Sequence, residues 1–406
     1  MMLFAGISTL VGCVGDSEPS AMEAGSAIQD SESPDSLGAG GFLFAGTNAA
    51  KNGVAAYRRF GDGRLEFLGI TLTGGAGTDA KIVPDLAATG TDPLVSQHSV
   101  ALNAAHDVLV VVNAGDDTVT SFRVGSHGNL QIASRVSSGG HLPNTIAIRG
   151  NLVYVGNAGH AAAGVASNVV GFRISGDGAL RRIPGAVGTF ADPGAETAHV
   201  LFTPDGTRLV VTEVFTAKID VFPVHPDGTL GTAVVNPSSG GAPFGMAFAP
   251  NNSLLVSEAE GAVADAATVS SYHMTGTHLT PVTAALPSGE SGACWFSVTP
   301  DGKFAYATNT GSPDRPSSIS IYAVSASGAL TFLDKAAVPR PALPGIDSSG
   351  GTDSLITADG RFLYQEYSGL GVVGAFRINR DGSLTQVPHG DAGGMPVLGT
   401  EGLDGF

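Results

Sequence analysis

Short apolar segments separated by turn residues repeat along most of this chain. In LFTPDGTRLVVTE (201–213) an apolar strand, a Pro-Asp-Gly turn and a second apolar strand follow one another, and the second strand ends in Glu. Gly, Asn and Asp tolerate positive φ, which a tight hairpin requires. No segment sustains the i, i+3, i+4, i+7 spacing of an amphipathic helix. The pattern therefore predicts an all-β protein. Five further segments follow it: ALNAAHDVLVVVN (101–113), AIRGNLVYVGN (147–157), AFAPNNSLLVSE (247–258), FSVTPDGKFAYATN (296–309) and LITADGRFLYQE (355–366).

A second signature follows each of these hairpins, in which a strand with an aromatic residue leads into a turn that ends in Leu. Seven copies occur, and after a longer first interval their spacing settles at about fifty residues. They are YRRFGDGRL (57–65), FRVGSHGNL (122–130), FRISGDGAL (172–180), FPVHPDGTL (222–230), YHMTGTHL (272–279), YAVSASGAL (322–330) and FRINRDGSL (376–384).

Seven repeats of four strands predict a seven-bladed β-propeller. In each blade strand a is innermost and strand d outermost, with Pro-Asp-Gly at the a–b turn and Asp-Gly-x-Leu at the c–d turn. The first repeat lacks an a strand before Gly41, and the C-terminal segment 396–406 is predicted to supply it. Strands from both ends of the chain would then close the ring, which removes the open edges of the sheets.

The N-terminus differs from the repeats. Residues 1–12 are apolar but too short to span a bilayer, so they are predicted to be a signal peptide. Leu10-Val11-Gly12-Cys13 resembles the bacterial lipobox, which predicts lipidation of Cys13, although no Lys or Arg precedes the apolar run. Residues 13–40 are acidic and rich in small residues, as in a flexible linker, and 41–406 form the propeller. We expect an exported protein, either periplasmic or anchored to the outer membrane, with secretion as the alternative.

Composition and motifs exclude several function classes. The 406 residues carry a formal net charge of −16, which argues against a nucleic-acid partner. Gly369–Gly374 fits GxGxxG but opens no helix, so we expect no dinucleotide or other cofactor. The histidines lack metal-ligand spacing, so we expect no metal. Lipidated Cys13 would leave Cys294 without a partner, and a buried Cys294 would behave as a small hydrophobe. We expect a monomer, with any membrane contact made through the lipid on Cys13.

The paired signatures resemble the lactonase family of seven-bladed propellers, which includes bacterial 6-phosphogluconolactonases and fungal carboxymuconate-lactonizing enzymes. The resemblance extends from about Gly41 to Phe406. Family members commonly begin an inner strand with Gly-Pro-Arg-His, for which the nearest match here is Thr197-Ala198-His199. Ala198 replaces the arginine, a residue that binds phosphate or carboxylate through two hydrogen bonds. Because of this replacement, the chain looks like a divergent, exported branch of the family, for which 6-phosphogluconolactone and carboxymuconate are not the expected substrates.

The repeat register places the starts of the a strands and the ends of the b strands at one mouth of the central channel. His199 and Glu213 belong to one blade and are predicted to form a general base that activates water. His98 is a second candidate base, and Asp353 is either an acid/base group or a strand cap. A hydrogen-bonded channel-wall role is the alternative for His199. The residues predicted to contact substrate are the oxyanion donors Ser99 and Asn144, the apolar walls Phe244 and Trp295, and the carboxylates Glu258 and Glu366.

Two functions remain open from the sequence. The first is metal-independent hydrolysis, or reversible cyclisation, of a small and neutral lactone. The second is non-catalytic binding of a sugar, a peptide or a cell-envelope partner. The asparagines at the ends of other b strands are predicted to be caps that bond the backbone, namely Asn48, Asn113, Asn157 and Asn309.

Overall fold

The computed structural model describes residues 39–311 and 315–406, and these form seven four-stranded antiparallel sheets. The sheets follow one another around a ring as the blades of a β-propeller, so the fold predicted from the repeats is confirmed. The N-terminal segment 1–12, Cys13 and nearly all of the linker lie outside the described residues, so their assignments stay predictions.

The strands are labelled in chain order and grouped here by their place in blades 1 to 7. The a strands are β28 (Leu403–Gly405), β4 (Val100–Leu102), β8 (Pro143–Arg149), β12 (Thr197–Phe202), β16 (Pro243–Phe248), β20 (Ala293–Val298) and β24 (Gly351–Ile356). The b strands are β1 (Ala39–Gly46), β5 (Val108–Asn113), β9 (Leu152–Asn157), β13 (Arg208–Glu213), β17 (Leu254–Glu258), β21 (Phe304–Asn309) and β25 (Phe362–Tyr367).

The c strands are β2 (Gly53–Phe60), β6 (Thr118–Val124), β10 (Asn168–Ile174), β14 (Lys218–Pro223), β18 (Thr268–Thr275), β22 (Ser317–Val324) and β26 (Val372–Ile378). The d strands are β3 (Leu65–Leu72), β7 (Leu130–Ser137), β11 (Leu180–Thr189), β15 (Val234–Pro237), β19 (His278–Pro287), β23 (Leu330–Arg340) and β27 (Leu384–Gln386). Helix in the described residues is limited to two 3₁₀ turns, Ala161–Ala163 and Glu260–Ala262. Within the described residues, none of the helical segments has the length and apolarity needed to cross a bilayer.

The ring is closed by strands from the two ends of the propeller. In blade 1 the C-terminal β28 pairs with β1, so that Leu43 lies opposite Gly405 and Ala45 lies opposite Leu403. The a strand of every blade contacts the a strands of both neighbouring blades, and β28 completes this inner circle between β24 and β4. The C-terminal segment thus supplies the missing a strand, as the sequence predicts.

The a–b turns form because their residues satisfy the turn's own backbone. In blade 4, Thr203 Oγ1 donates to Asp205 Oδ1 at 2.6 Å, and the same carboxylate accepts the N–H of Thr207 at 3.0 Å. Gly206 follows at φ 72°, a conformation that costs glycine little. Blades 6 and 7 repeat these Thr–Asp contacts around Asp301 and Asp359.

The hydrophobic core lies between neighbouring blades. Tyr154 and Phe202, for example, pack in one cluster shared by blades 3 and 4, with their ring centroids 5.4 Å apart. The buried Tyr154 hydroxyl also donates to the c–d turn of the next blade, at the carbonyl oxygen of Gly228, 2.9 Å away. Tyr306 and Tyr364 make the equivalent bond in later blades, which gives each phenol its partner.

Candidate functional site

A β-bulge near the start of the a strand recurs in several blades. In blade 4, Thr197 lies opposite Glu213, but His199 lies opposite Thr212, so Ala198 is an extra residue. The pairing of β8 with β9 has the same irregularity at Asn144, and that of β20 with β21 has it at Cys294. Because a bulge shifts the register by one residue, it reverses the sheet face on which the following side chains lie.

The bulge at Ala198 separates the two members of the predicted general base. His199 shares a face with Thr212, and Glu213 therefore lies on the opposite face of the blade. Glu213 instead accepts a hydrogen bond from the Thr216 hydroxyl and lies beside Asp220. Burial, together with the Glu213 carboxylate, raises the pKa of Asp220 to about 7. The structure therefore does not bring together the two members of the predicted His/Glu base.

His199 is fully buried, and both of its ring nitrogens have other partners. The main-chain N–H of Met246 donates to Nδ1 at 3.0 Å, and Nε2 lies 3.1 Å from Nδ1 of His98. A main-chain N–H can only donate, so His199 must carry its proton on Nε2 and donate it to His98. The neutral His98 then carries its own proton on Nε2.

This proton order changes the role predicted for His98. Burial lowers the pKa of His98 to about 4, and burial together with the neighbouring His98 lowers the pKa of His199 well below its usual range. The pair is therefore neutral at ordinary pH, and the Nε2–H of His98 is a hydrogen-bond donor. In this proton order His98 presents a hydrogen-bond donor, whereas the sequence predicts a base.

A segment that the repeats did not predict fills the channel next to these histidines. Residues 73–99 connect β3 to β4, and Leu94–Gln97, here called the channel plug, are largely buried among the a strands. The amide side chain of Gln97 bonds both the N–H and the C=O of Phe296, each at 3.2 Å. The indole N–H of Trp295 donates to the carbonyl oxygen of Ser96 at 2.8 Å. The plug thus joins blades on opposite sides of the ring.

Four of the residues predicted to contact substrate instead contact other parts of the protein's own chain. Asn144 donates to the carbonyl oxygen of Leu94, and the hydroxyl of Ser99 donates to that of Glu401 at 2.7 Å. Trp295 and Phe244 are buried in one apolar cluster, with ring centroids 5.2 Å apart. The structure therefore places these four side chains around a piece of the protein's own chain. These contacts use the groups that the sequence assigns to oxyanion binding and to the substrate walls.

The remaining predicted carboxylates are buried as well. Glu258 accepts hydrogen bonds from Ser270, Thr268 and the N–H of Gly240, so it binds the protein's own turn. Burial raises the pKa of Glu366 to about 8, and the Asp353 carboxylate accepts the N–H of His98 at 3.2 Å. Burial also raises the pKa of Asp353 well above its usual range, with Glu366 as a further cause. The hydrogen bond favours the capping alternative for Asp353.

Three of the asparagines at the b-strand ends donate hydrogen bonds to side chains of the following strand. Asn113 donates to the hydroxyls of Thr118 and Thr120, and Asn309 donates to two serines in the same way. Asn157 donates to the side chain of Asn168 at 2.9 Å. They tie strand b to strand c, so their role is structural, but their partners differ from the prediction.

An open cavity of about 580 Å³ remains at this mouth, beside the plug, and we call it the Asp92 cavity. Its walls combine the connection before blade 2, including Asp92 and Val95, with Cys294 and Thr310 of blade 6. Burial raises the pKa of the Cys294 thiol well above its usual range. A protonated thiol is a poor nucleophile, so Cys294 acts here as part of the wall.

The ionisable group with the most unusual surroundings in this cavity is Asp92. It accepts the N–H of Val95 at 3.1 Å and shares a side-chain hydrogen bond with Glu401. Burial raises the pKa of Asp92 to about 7 and raises the pKa of Glu401 well above its usual range. Two carboxyl groups that share a hydrogen bond hold a proton between them, because both cannot ionise at close range.

Sequence reasoning missed Asp92 and Glu401 because neither belongs to a repeat signature. One signal was present, however. The connection 73–99 is far longer than the usual loop, and long ordered loops in compact domains are often functional. Among the described residues, no group of three or more His, Cys, Asp and Glu side chains is arranged to hold a metal ion.

Comparison with protein families decides the assignment of the chain. The model of the lactonase family, seven-bladed β-propeller, matches residues 98–341, which is more than half of the chain. The chain belongs to the lactonase family of β-propellers. Searching the curated proteins gives no match.

Several solved structures resemble this lactonase-family propeller. A protein from Bacteroides fragilis, proposed to be a 6-phosphogluconolactonase, is 18% identical at a TM-score of 0.67, with 90% of this chain and 98% of that chain covered. The periplasmic gluconolactonase of Pseudomonas aeruginosa gives the same identity, TM-score and coverage. A protein from Bacteroides uniformis, also proposed to be a 6-phosphogluconolactonase, is 19% identical at a TM-score of 0.65. The match covers 90% of this chain and 99% of that chain. At these identities the likeness shows the fold.

Within the lactonase family, this chain departs from the common pattern at the bulge of blade 4. Ala198 replaces the arginine of that pattern, and its side chain is fully buried in the cluster that contains Phe244 and Trp295. The carbonyl oxygen of Ala198 accepts the N–H of Gln97 at 2.9 Å, so the residue at the arginine position holds the channel plug by its backbone.

Proposed function

We propose that this lactonase-family protein hydrolyses a small neutral lactone in the Asp92 cavity. The observation that carries the proposal is a carboxyl pair, Asp92 and Glu401, at the wall of a cavity large enough for a sugar-sized ring. Membership of the lactonase family supports the reaction class. The identity of the residues that act is the part that needs testing.

The pKa of Asp92 suits general base catalysis. A group whose pKa lies near 7 is both available as a base at neutral pH and basic enough to accept a proton. In the proposed step, Asp92 takes a proton from water while the water oxygen bonds to the lactone carbonyl carbon. The bond from that carbon to the ring oxygen then breaks, and Asp92 returns the proton to the ring oxygen, which gives a hydroxy acid.

Glu401 positions Asp92 in this scheme. Its carboxylate accepts the N–H groups of Leu94 and Ser96 at 2.8 and 3.1 Å, and it accepts the hydroxyl of Ser96 at 3.0 Å. These bonds fix the carboxyl group to the channel plug, and the proton that it shares with Asp92 restrains the second carboxyl group. A base held by its neighbours loses less entropy when the reaction occurs.

The lining of the cavity favours a neutral substrate. None of the described residues that line it is Lys, Arg or His, while Ile82, Val95, Ile346 and Leu398 supply apolar surface. A phosphorylated lactone would enter a cavity that already holds Asp92 and Asp347, without a cation to pair with. We therefore expect discrimination against phosphorylated lactones.

The test is turnover of a lactone panel by the full protein, followed by acid release and corrected for spontaneous hydrolysis. We expect Asp92→Asn to lower kcat/KM for a neutral lactone by about 100-fold or more, because the base is lost. Asp347→Asn makes the same charge change at an exposed position on the same cavity wall and should change turnover less than about threefold. Cys294→Ala should also retain turnover.

A pH profile separates a base from a structural role. With a pKa near 7, Asp92 is protonated at pH 5.5 and ionised at pH 8.5, so kcat/KM should rise through neutral pH. Asp92→Asn should remove this rise as well as the rate. Full activity in a folded Asp92→Asn variant would overturn the proposed base. Lactone binding without turnover by the unaltered protein would instead favour the non-catalytic function.

A further inference from the structure

The channel has a second open end, at the mouth formed by the a–b turns. A cavity of about 240 Å³ lies there, enclosed by the a strands of blades 2, 3 and 4 and by Asp404 of blade 1. His98 forms its inner end, and Ile146, Ile148 and Phe202 contribute apolar wall. This cavity and the Asp92 cavity share no lining residue, so the two are separate.

Three polar groups of different kinds line this cavity. The Nε2–H of His98 is a donor, because the chain of bonds from Met246 through His199 fixes its tautomer. The carboxylate of Asp404 is an acceptor, held in place by the N–H groups of Leu102 and Gly405 at 2.7 Å each. The guanidinium of Arg149 is a cation at the rim.

Arg149 is placed at the rim by its packing against the a–b turn of blade 4. A Cβ added at Gly206 would lie 2.0 Å from its Nε, so only glycine at 206 leaves room for the arginine. In the described part of the chain, Arg149 has no carboxylate within ion-pair distance. Arg361, at an a–b turn of the same mouth, does have one, the carboxylate of Asp359.

We propose that this cavity binds a small hydroxycarboxylate. The cation at the rim and the N–H donor inside match a carboxylate, and the Asp404 carboxylate matches hydroxyl groups that need an acceptor. A phosphate dianion would meet the Asp404 carboxylate with twice the repulsion, and an apolar ligand would leave all three groups unpaired. The proposal stands whether or not the Asp92 cavity is catalytic.

The test is isothermal titration of the full protein with gluconate as the probe and sorbitol as the neutral control, at pH 5.5 and 7.5. We expect gluconate to bind, sorbitol to bind at least tenfold more weakly, and Arg149→Gln to weaken gluconate binding about tenfold or more. Arg361→Gln is the matched control and should leave the affinity unchanged. Asp92→Asn should also leave it unchanged, which separates this site from the proposed reaction.

The pH dependence gives a second readout. Burial raises the pKa of Asp404 to about 6, so at pH 5.5 this group is mostly a neutral carboxyl. Its carbonyl oxygen still accepts a ligand hydroxyl, while its repulsion of the gluconate carboxylate is lost, so gluconate should bind more tightly at pH 5.5 than at pH 7.5. Of the other groups around Asp404, His98 stays neutral above about pH 4, and burial raises the pKa of Asp353 well above its usual range. Asp404→Asn should remove the pH dependence. No gluconate binding at millimolar concentration, equal affinity for sorbitol, or an unchanged affinity in Arg149→Gln would overturn the proposal.

Discussion

Three glutamates occupy the same repeat position near the end of strand b, but their surroundings differ. Glu258 accepts four close hydrogen bonds, from Ser238, Gly240, Ser270 and Thr268. For Glu366, by contrast, neither carboxylate oxygen has a hydrogen-bond partner of good geometry, and burial holds its pKa at about 8. The repeat fixes where a glutamate lies, and the neighbouring segments decide how many donors reach its carboxyl group.

Equivalent substitutions at these two sites should therefore have different effects. Glu258→Gln removes a carboxylate that binds four donors and should lower the free energy of unfolding by about 2 kcal/mol at pH 7. Glu366→Gln replaces an acid that at pH 7 is largely protonated in the folded protein but ionised in the unfolded chain, so it should raise the free energy of unfolding, by about 3 kcal/mol at most. Urea unfolding of both variants checks this, and equal losses would contradict the assignment.

At the level of elements, the bulged a strands and the channel plug depend on one another. The bulge at Cys294 sets the face on which Trp295 lies, and the indole then reaches the carbonyl oxygen of Ser96. In blade 4 the bulge residue Ala198 accepts the N–H of Gln97. A backbone segment can be buried in the channel because the a strands offer its polar groups partners.

The plug should loosen when one of these bonds is removed. Trp295→Phe keeps an aromatic ring but deletes the indole N–H, so the Ser96 carbonyl loses its donor at a cost of about 1–2 kcal/mol. Hydrogen exchange at the amides of residues 94–97 should become faster. Tyr364→Phe removes a similar bond, to Gly63 in another part of the ring, and is the matched control. Equal exchange of the plug in both variants would contradict its dependence on Trp295.

At the scale of the whole molecule, several buried carboxyl groups lie where the first and last blades close the ring. Asp353 and Glu366 belong to blade 7, and Glu401 and Asp404 belong to the C-terminal segment that completes blade 1. Burial raises the pKa of all four, and Asp353 has Glu366 and Asp404 as further causes. The seam between the first and last blades is therefore most favourable when these groups are protonated.

The stability of the propeller should then fall between pH 7 and pH 9. A carboxyl group whose pKa is higher in the folded state stabilises it at low pH, and this contribution is lost as the pH rises through the folded value. For Glu366, with a pKa of about 8, the loss over this interval is about 1 kcal/mol. Glu366→Gln should reduce the fall by that amount in urea unfolding at the two pH values. Glu66→Gln, on an exposed strand, should leave the fall unchanged.

The sequence by itself determined the blades, their number and the closure of the ring. These features follow from local chemistry, since a Pro-Asp-Gly turn such as 204–206 and the apolar segments on either side form a hairpin wherever they occur. The same regularity located the mouth of the channel and the b-strand ends that face it. It also identified the segment 396–406 as the missing strand, because one repeat was incomplete.

Only the tertiary structure decided which side chains meet. One extra residue at Ala198 moves His199 to the other face from Glu213, and no local pattern marks a bulge whose cause is packing across the channel. The pairing of Asp92 with Glu401 joins residues more than three hundred positions apart, outside every repeat. Burial then sets the pKa values of these groups. The repeat pattern predicts the strands because it recurs in every blade, whereas the channel plug occurs once and has no repeated pattern to reveal it.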